Sequence, residues 1–535
     1  MKRKSFLGIL ILCLALQACG QSTTTEETSV EKQEEVPQII QEMKKETEEM
    51  SKTDWNTVFQ NMELADSPKK LDETNPIMTQ RYGADPYAMV YGDTVYFYMT
   101  ADVYEYDSNM QIKDNSYGKI KTINVVSTKD MVNFTDHGAV AVTKAATWAN
   151  NSWAPAAAWK NIDGQDKFFL YFADGGGGIG VLTADSPTGP FTDPIGKGLL
   201  RRDMPNCGNV LWLFDPAVLV DDDGSAYIYF GGGVPEGKVA EPGTGRVAKL
   251  GADMISIEGE PVALHAPYLF EDSGIHKYNN KYYYTYCSNW QVDQAGTDKY
   301  GFHNAEIVCM ESDSPMGPFE YKETILKNPG QYCGLYGNNH HCVFTFEGRW
   351  YMTYHSRALE KRLGVEKGYR ATNVNEFIMN ADGSIGTIDQ SAKGREQLHF
   401  VNPYEAVNAT TVQVLAGCNT AVADEKAANT GCGEMALGNI SDGAFIKVSG
   451  VDFGNKEADK LMLSVRKSSG EDQAIAVKID DINSEPVCIA ELSKTSQQEF
   501  ETLTYELSRK VSGVHDLYFV FAGSGYQIRD WSFAE

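Results

Sequence analysis

Apolar and polar positions along the chain alternate in short runs and do not recur every three to four residues. Stretches such as "VYFYMT", "FFLYFA", "YYYTYC" and "WYMTYH" are dominated by aromatic, β-branched and other large side chains, and Gly, Asn or Asp residues lie close by. Runs of this kind between turn residues predict strands, and the lack of sustained heptads excludes a helical core, so the expected class is all-β. Ahead of each strand stands a turn, "YGDT", "IDGQD", "YNNK" or "FEGR", carrying the Gly, Asn or Asp that a tight hairpin loop requires.

The hairpin recurs five times: "DPYAMVYGDTVYFYMT" from Asp85, "WAPAAAWKNIDGQDKFFLYFAD" from Trp153, "DPAVLVDDDGSAYIYFGG" from Asp215, "EDSGIHKYNNKYYYTYC" from Glu271 and "HHCVFTFEGRWYMTYH" from His340. Four copies are followed by a further strand with a polar close, such as "IGVLTADSPTGPFTDP". Small antiparallel sheets repeated at a roughly constant period predict a radial arrangement, a five-bladed β-propeller over residues 75–397. Equivalent blade starts then converge on one axis, gathering Asp85, Asp215, Glu271 and His340. A single acid before proline is ordinarily a turn cap. Three carboxylates and an imidazole in register repel, separate their pKa values and suit acid–base chemistry.

After residue 398 the aromatics thin out, and short alternating strands such as "KLMLSVRKSS" and "YQIRDWSFAE" predict a β-sandwich over 398–535. At the other end, Lys2, Arg3 and Lys4 precede the apolar run "FLGILILCLALQA", a secretory signal too short to span a bilayer. Its close, "LQAC", resembles a bacterial lipobox, which implies a signal peptide over 1–19 and lipidation of Cys19. Residues 20–74 are expected to be an acidic tether, rich in Thr, Glu and Lys and unable to offset their ordering entropy by burial. The expected location is therefore exported and cell-surface, with the membrane reached only through the lipid anchor.

Charge and cysteines narrow the chemistry. A net charge of −26 with no basic stripe excludes nucleic acid as a partner. The cysteines have no CxxC spacing, so zinc is not indicated, and Cys418 with Cys432 is the most local candidate for a disulfide. "GGGGIG" at 175–180 leads into a strand, not the helix a dinucleotide fold needs, and "DDDG" at 221–224 is a hairpin turn. No G-x-S-x-G element supports a serine hydrolase.

The ordered motifs "ADP", "SWAP", "LFDPAVLVDDDG", "APYLFEDSGIHK", "SDSPMGPF", "GNNHHC" and "GYR" resemble glycoside hydrolase family 43 over roughly 75–395, most closely its arabinoxylan-debranching arabinofuranosidases. The resemblance implies an inverting hydrolase releasing α-L-arabinofuranosyl side chains from arabinoxylan. In it Asp85 is the general base, Glu271 the general acid and Asp215 the carboxylate that orients the acid and keeps its pKa raised. It also implies a calcium ion in the axial channel beside His340, and a sugar contact from Arg370. His341 is expected to face away, by strand alternation. Trp153 is expected to offer a ring to the sugar, while Trp148 is open between that role and the core. The same fold and acids also support a β-xylosidase or an endo-1,5-α-arabinanase, and a surface sugar-binding lipoprotein is the non-enzymatic alternative. The C-terminal segment, ending in "RDWSF", resembles a carbohydrate-binding module of family 6. This implies a structural calcium at Glu405 and Asp530, with Phe445 and Phe500 standing where tryptophan is common, so that a purely structural module is the alternative to a sugar-binding one.

Overall fold

The computed structural model describes residues 53–424, 432–468, 472–492 and 497–535. The signal, Cys19 and residues 20–52 of the tether lie outside the described residues. The described chain is all-β, with only short helices. All five repeated segments form the expected antiparallel hairpins.

The first sheet holds β1 (Ala84–Tyr91), β2 (Thr94–Thr100), β3 (Ile123–Thr128) and β4 (Phe134–Val140). The second holds β5 (Trp153–Ile162), β6 (Gln165–Ala173), β7 (Gly178–Ala184) and β8 (Leu200–Arg201). The third holds β9 (Ala217–Val220), β10 (Ala226–Phe230), β11 (Gly245–Leu250) and β12 (Ile257–Leu264). The fourth holds β13 (Leu269–Tyr278), β14 (Lys281–Ser288), β15 (Ile307–Ser312) and β16 (Glu320–Leu326). The fifth holds β17 (His341–Phe346), β18 (Arg349–Ser356) and β19 (Ala371–Phe377). Their first strands are neighbours in cyclic order: β1 packs on β5, β5 on β9, β9 on β13, β13 on β17, and β17 back on β1. The chain entering the first sheet runs beside the outer strand β19. Ile77 N–H donates to the Thr372 carbonyl, and Val374 N–H donates to Asn75 Oδ1.

Proline shapes the inner strand starts. Pro86 has no N–H to give a ladder, and pairing in β1 skips from Ala84 to Tyr87; at Pro155 the pairing in β5 skips from Trp153 to Ala156. Asp85 and Asp215, each immediately before a proline, both sit in the left-handed region at φ 47° and 48°. Aspartate tolerates that conformation better than most residues, and backbone held there is characteristic of functional sites.

The C-terminal part forms two facing sheets. One runs through Asn419–Val422, Met435–Gly438, Tyr526–Ala534, Ala458–Lys467 and Gln497–Val511; the other through Val414–Ala416, Phe445–Asp452, Val514–Ala522, Gln473–Ile479 and Cys488–Leu492. They enclose their own apolar core around Trp531, Phe519 and Leu463. This unit is sewn to the first sheet, because Thr411–Val412 pairs with β4, and Asn133 exchanges hydrogen bonds with the Ser449 backbone in both directions.

Two expectations need correction here. Residues 55–74 are not tether: helix α1 (Trp55–Asn61) buries Phe59 against Val414, Phe445 and Val520, and Ala65 N–H donates to the Gly443 carbonyl. Trp55, Phe59 and Met62 recur at helical spacing, so one face is apolar enough to repay its ordering. Cys418 and Cys432 are not paired; each of the eight described cysteines is a free thiol.

Candidate active site

A cavity of about 510 Å³ opens where the first strands meet, within the range of small-molecule sites. Asp85, Asp215, Glu271, His340, Asn338 and Arg370 supply its polar lining, and Tyr117, Trp153, Trp212, Phe214, Phe270 and Trp290 supply aromatic walls. Every catalytic candidate, together with Trp153, Arg370 and His340, is thus in one place. Trp148 is not: its ring stacks on Phe172 and its indole N–H donates to Asp193, a role in the core.

The two key carboxyls have opposite environments. Burial alone would raise the Asp85 pKa, but the Arg370 guanidinium, 2.7 Å from Oδ1, with His340 beside it, outweighs burial and holds Asp85 well below the usual carboxylate range. Arg370 is itself anchored by two parallel bonds to Asp102, at 2.9 and 2.8 Å, and lies over the Tyr117 ring. His355 Nδ1 accepts the Asp85 N–H at 3.1 Å, so its Nε2 carries the ring proton and donates to the Asn338 carbonyl.

Glu271 is pushed the other way, first by burial and then by the charges of Asp215, Asp85 and Asp272. Asp215 is also raised, by burial and by Asp85. The proton belongs on Glu271, because Asp215 accepts the Asp272 N–H at 2.9 Å whereas Glu271 Oε1 is buried with no hydrogen-bond partner among the described residues. The cavity therefore presents an ionised carboxylate on the first sheet and a carboxylic acid on the fourth. These sheets are not neighbours in the cyclic order.

His340 occupies the floor, its Nδ1 3.4 Å from Asp85 Oδ1 and 4.0 Å from Asp215 Oδ2, its Nε2 3.1 Å from Asp272 Oδ1. His341 points away as strand alternation requires, into a buried pair with Asp272. Burial holds the His341 pKa down at about 3 and raises that of Asp272 to about 7.

Of the residues expected near calcium, His340 stands among carboxylates, while Glu405 and Asp530 engage neighbouring side chains. Both nitrogens of His340 face carboxylates. Glu405 is exposed and takes the Asn402 amide, while Asp530 takes the Arg529 guanidinium. Among the described residues no three His, Cys, Asp or Glu side chains form a metal cluster. In the C-terminal unit neither phenylalanine offers an open ring: Phe445 is buried in the core, and Phe500 lies beneath Arg466 and Arg529 at 4.6 and 5.2 Å.

The model of glycosyl hydrolases family 43 matches residues 73–385. The chain belongs to glycosyl hydrolases family 43. The model of carbohydrate binding module (family 6) matches residues 416–535 of this family 43 chain. An arabinoxylan arabinofuranohydrolase of Paenibacillus polymyxa is 44% identical over 481 residues, covering 87% of the chain and 74% of the relative. Its counterpart in Bacillus subtilis (strain 168) is 43% identical over 493 residues, covering 87% and 93%. A crystal structure of a family 43 arabinoxylan arabinofuranohydrolase from Bacillus subtilis, in complex with cellotetraose, superposes with a TM-score of 0.83 at 41% identity, covering 88% of this chain and 99% of that one.

Several site residues of this family 43 chain escaped the sequence reading. Trp212 and Phe214 stand in "LWLFDP" beside Asp215, and Phe270 precedes Glu271, so adjacency to the acids was a usable signal. Asp272 directly follows Glu271, whereas Asp102, His355 and Trp290 reach the site only through folding.

Proposed function

We propose that this protein removes α-L-arabinofuranosyl side chains from arabinoxylan by hydrolysis with inversion, the five sheets forming a five-bladed β-propeller with the cavity at its axis. The observation that carries the reading is the opposed pair, ionised Asp85 and protonated Glu271, inside an aromatic-walled cavity of a chain 43% identical to an arabinoxylan arabinofuranohydrolase over 93% of that relative. Asp85 takes a proton from water as its oxygen bonds to the anomeric carbon; the glycosidic C–O bond breaks, and Glu271 gives its proton to the departing xylan oxygen. Inversion requires a gap for that water between the two carboxyls, which here line the same cavity from non-adjacent sheets. Asp215, tied by the Asp272 N–H, keeps Glu271 protonated between turnovers by its charge, and Arg370 keeps Asp85 ionised. No step passes through a metal ion.

The deciding experiment incubates the chain lacking residues 1–52 with arabinoxylan and identifies the sugar released. Free arabinose alone supports the reading; xylose or xylo-oligomers move the action to the main chain, and arabinan fragments from arabinan mark an endo-arabinanase. Trp290, 39% exposed at the rim, is positioned to stack on the polymer. Trp290→Ala is expected to raise KM for arabinoxylan about tenfold with kcat changed less than about threefold, as loss of one aromatic contact predicts.

The domain plan extends the same proposal: a signal peptide over 1–19, a tether from 20, the hydrolase unit over 75–397 and the sandwich over 398–535. The sandwich is joined to the first sheet, and its family 6 match makes it the part that holds the polysaccharide beside the hydrolase unit. Lipidated Cys19 would hold the enzyme at the cell surface, where polymeric substrate arrives. Metabolic labelling with palmitate is expected to mark the full chain and to fail for Cys19→Ser; equal label in both would remove the anchor.

A further inference from the structure

Asp272 follows Glu271 in sequence and takes no proton in the chemistry above, yet it is completely buried at the floor of the site, with φ 68°. Its N–H donates to Asp215 Oδ2 at 2.9 Å. Its Oδ1 accepts the His341 N–H at 3.1 Å and lies 3.1 Å from His340 Nε2, and its Oδ2 lies 2.5 Å from His341 Nδ1. Behind it His341 Nε2 meets Thr285 Oγ1 at 2.7 Å, in space kept open by Gly274, where a Cβ would stand 2.3 Å from that hydroxyl. One residue of the fourth sheet thereby holds Asp215 at the entry to the third and the two histidines at the start of the fifth.

The His340 edge not held by Asp272 faces Asp85 at 3.4 Å. Both the base and the orienting carboxylate are therefore placed through groups that Asp272 fixes. We propose that Asp272 is a positioning residue of the reaction: its side chain sets the His340 ring against Asp85, and its N–H sets Asp215 beside Glu271. The proposal rests on the hydrolase reading for its readout. A buried aspartate that merely held the sheets together would affect stability, not the chemical step.

Two substitutions separate these roles. Asp272→Asn keeps a residue that tolerates left-handed backbone, an oxygen to accept from His341 N–H and His340, and an N–H₂ for His341 Nδ1. Asp272→Gly keeps the backbone and its N–H but releases His340. Kinetics on aryl α-L-arabinofuranoside and aryl β-D-xyloside are measured for the wild type and both variants, alongside thermal unfolding. A wrong sugar assignment then shows as wild-type turnover of the xyloside alone, and the variants are compared on whichever substrate the wild type cleaves. Asp272→Gly is expected to lower kcat roughly 10²-fold with KM within about twofold, the scale of an ångström-sized misplacement. Asp272→Asn is expected to recover most of that loss. The proposal is overturned by a glycine variant with kcat near wild type, by a loss confined to KM, or by an asparagine variant no better than glycine.

Discussion

Glu271→Gln is expected to lower kcat on arabinoxylan by roughly 10²–10⁴-fold, the usual contribution of a general acid, while the protein stays folded. The side chain is buried with an unpartnered oxygen, so an amide of equal size fits without stranding a charge. The loss should depend on the leaving group. An aryl α-L-arabinofuranoside departs as a stable phenolate and needs little proton donation, so its kcat should fall far less than that of the polymer. Equal losses on the two substrates would take the acid role from Glu271. The pH profile carries the same information with a definite sign. Glu271 acts in its protonated form and its pKa lies well above 4.5, chiefly through burial and the charge of Asp215. Wild-type activity is therefore present below that pKa and is lost as pH rises through it. Glu271→Gln should lack this alkaline limb.

The acids were legible because the chain writes them in one register: a special residue, an apolar strand, a turn and an aromatic strand, five times over. Proline reinforced the pattern at Asp85 and Asp215, and at Asp85 it also interrupts the ladder. Arg370 was legible only through the family motif "GYR", since its partner Asp102 lies 268 residues away and no local spacing announces the pair. Asp272 stands beside Glu271 in sequence, but its contacts with both histidines form only across a sheet boundary. The tether was drawn too long because overall polarity masked the apolar face of Trp55, Phe59 and Met62. The carboxylates around both nitrogens of His340 become visible only once the sheets are assembled.

Asp85→Asn is expected to cost a similar 10²–10⁴-fold in kcat, but without dependence on the leaving group, because water must be deprotonated whichever oxygen departs. Aryl and polymeric substrates should fall together, which separates this residue from Glu271 by a single comparison. The variant should remain folded and bind substrate: Arg370 keeps both bonds to Asp102, and the Asp85 N–H can still donate to His355. Acid sensitivity gives the independent check. In the wild type Arg370 and His340 hold Asp85 ionised against the effect of burial, so the base is competent far below the pH at which a free carboxylate takes up its proton. Arg370→Gln removes the strongest of these attractions and should move the acid limb of kcat/KM to higher pH, with Asp85 otherwise intact. An acid limb unmoved by Arg370→Gln, or an Asp85→Asn variant retaining more than about a tenth of wild-type kcat, would place the water-activating group elsewhere.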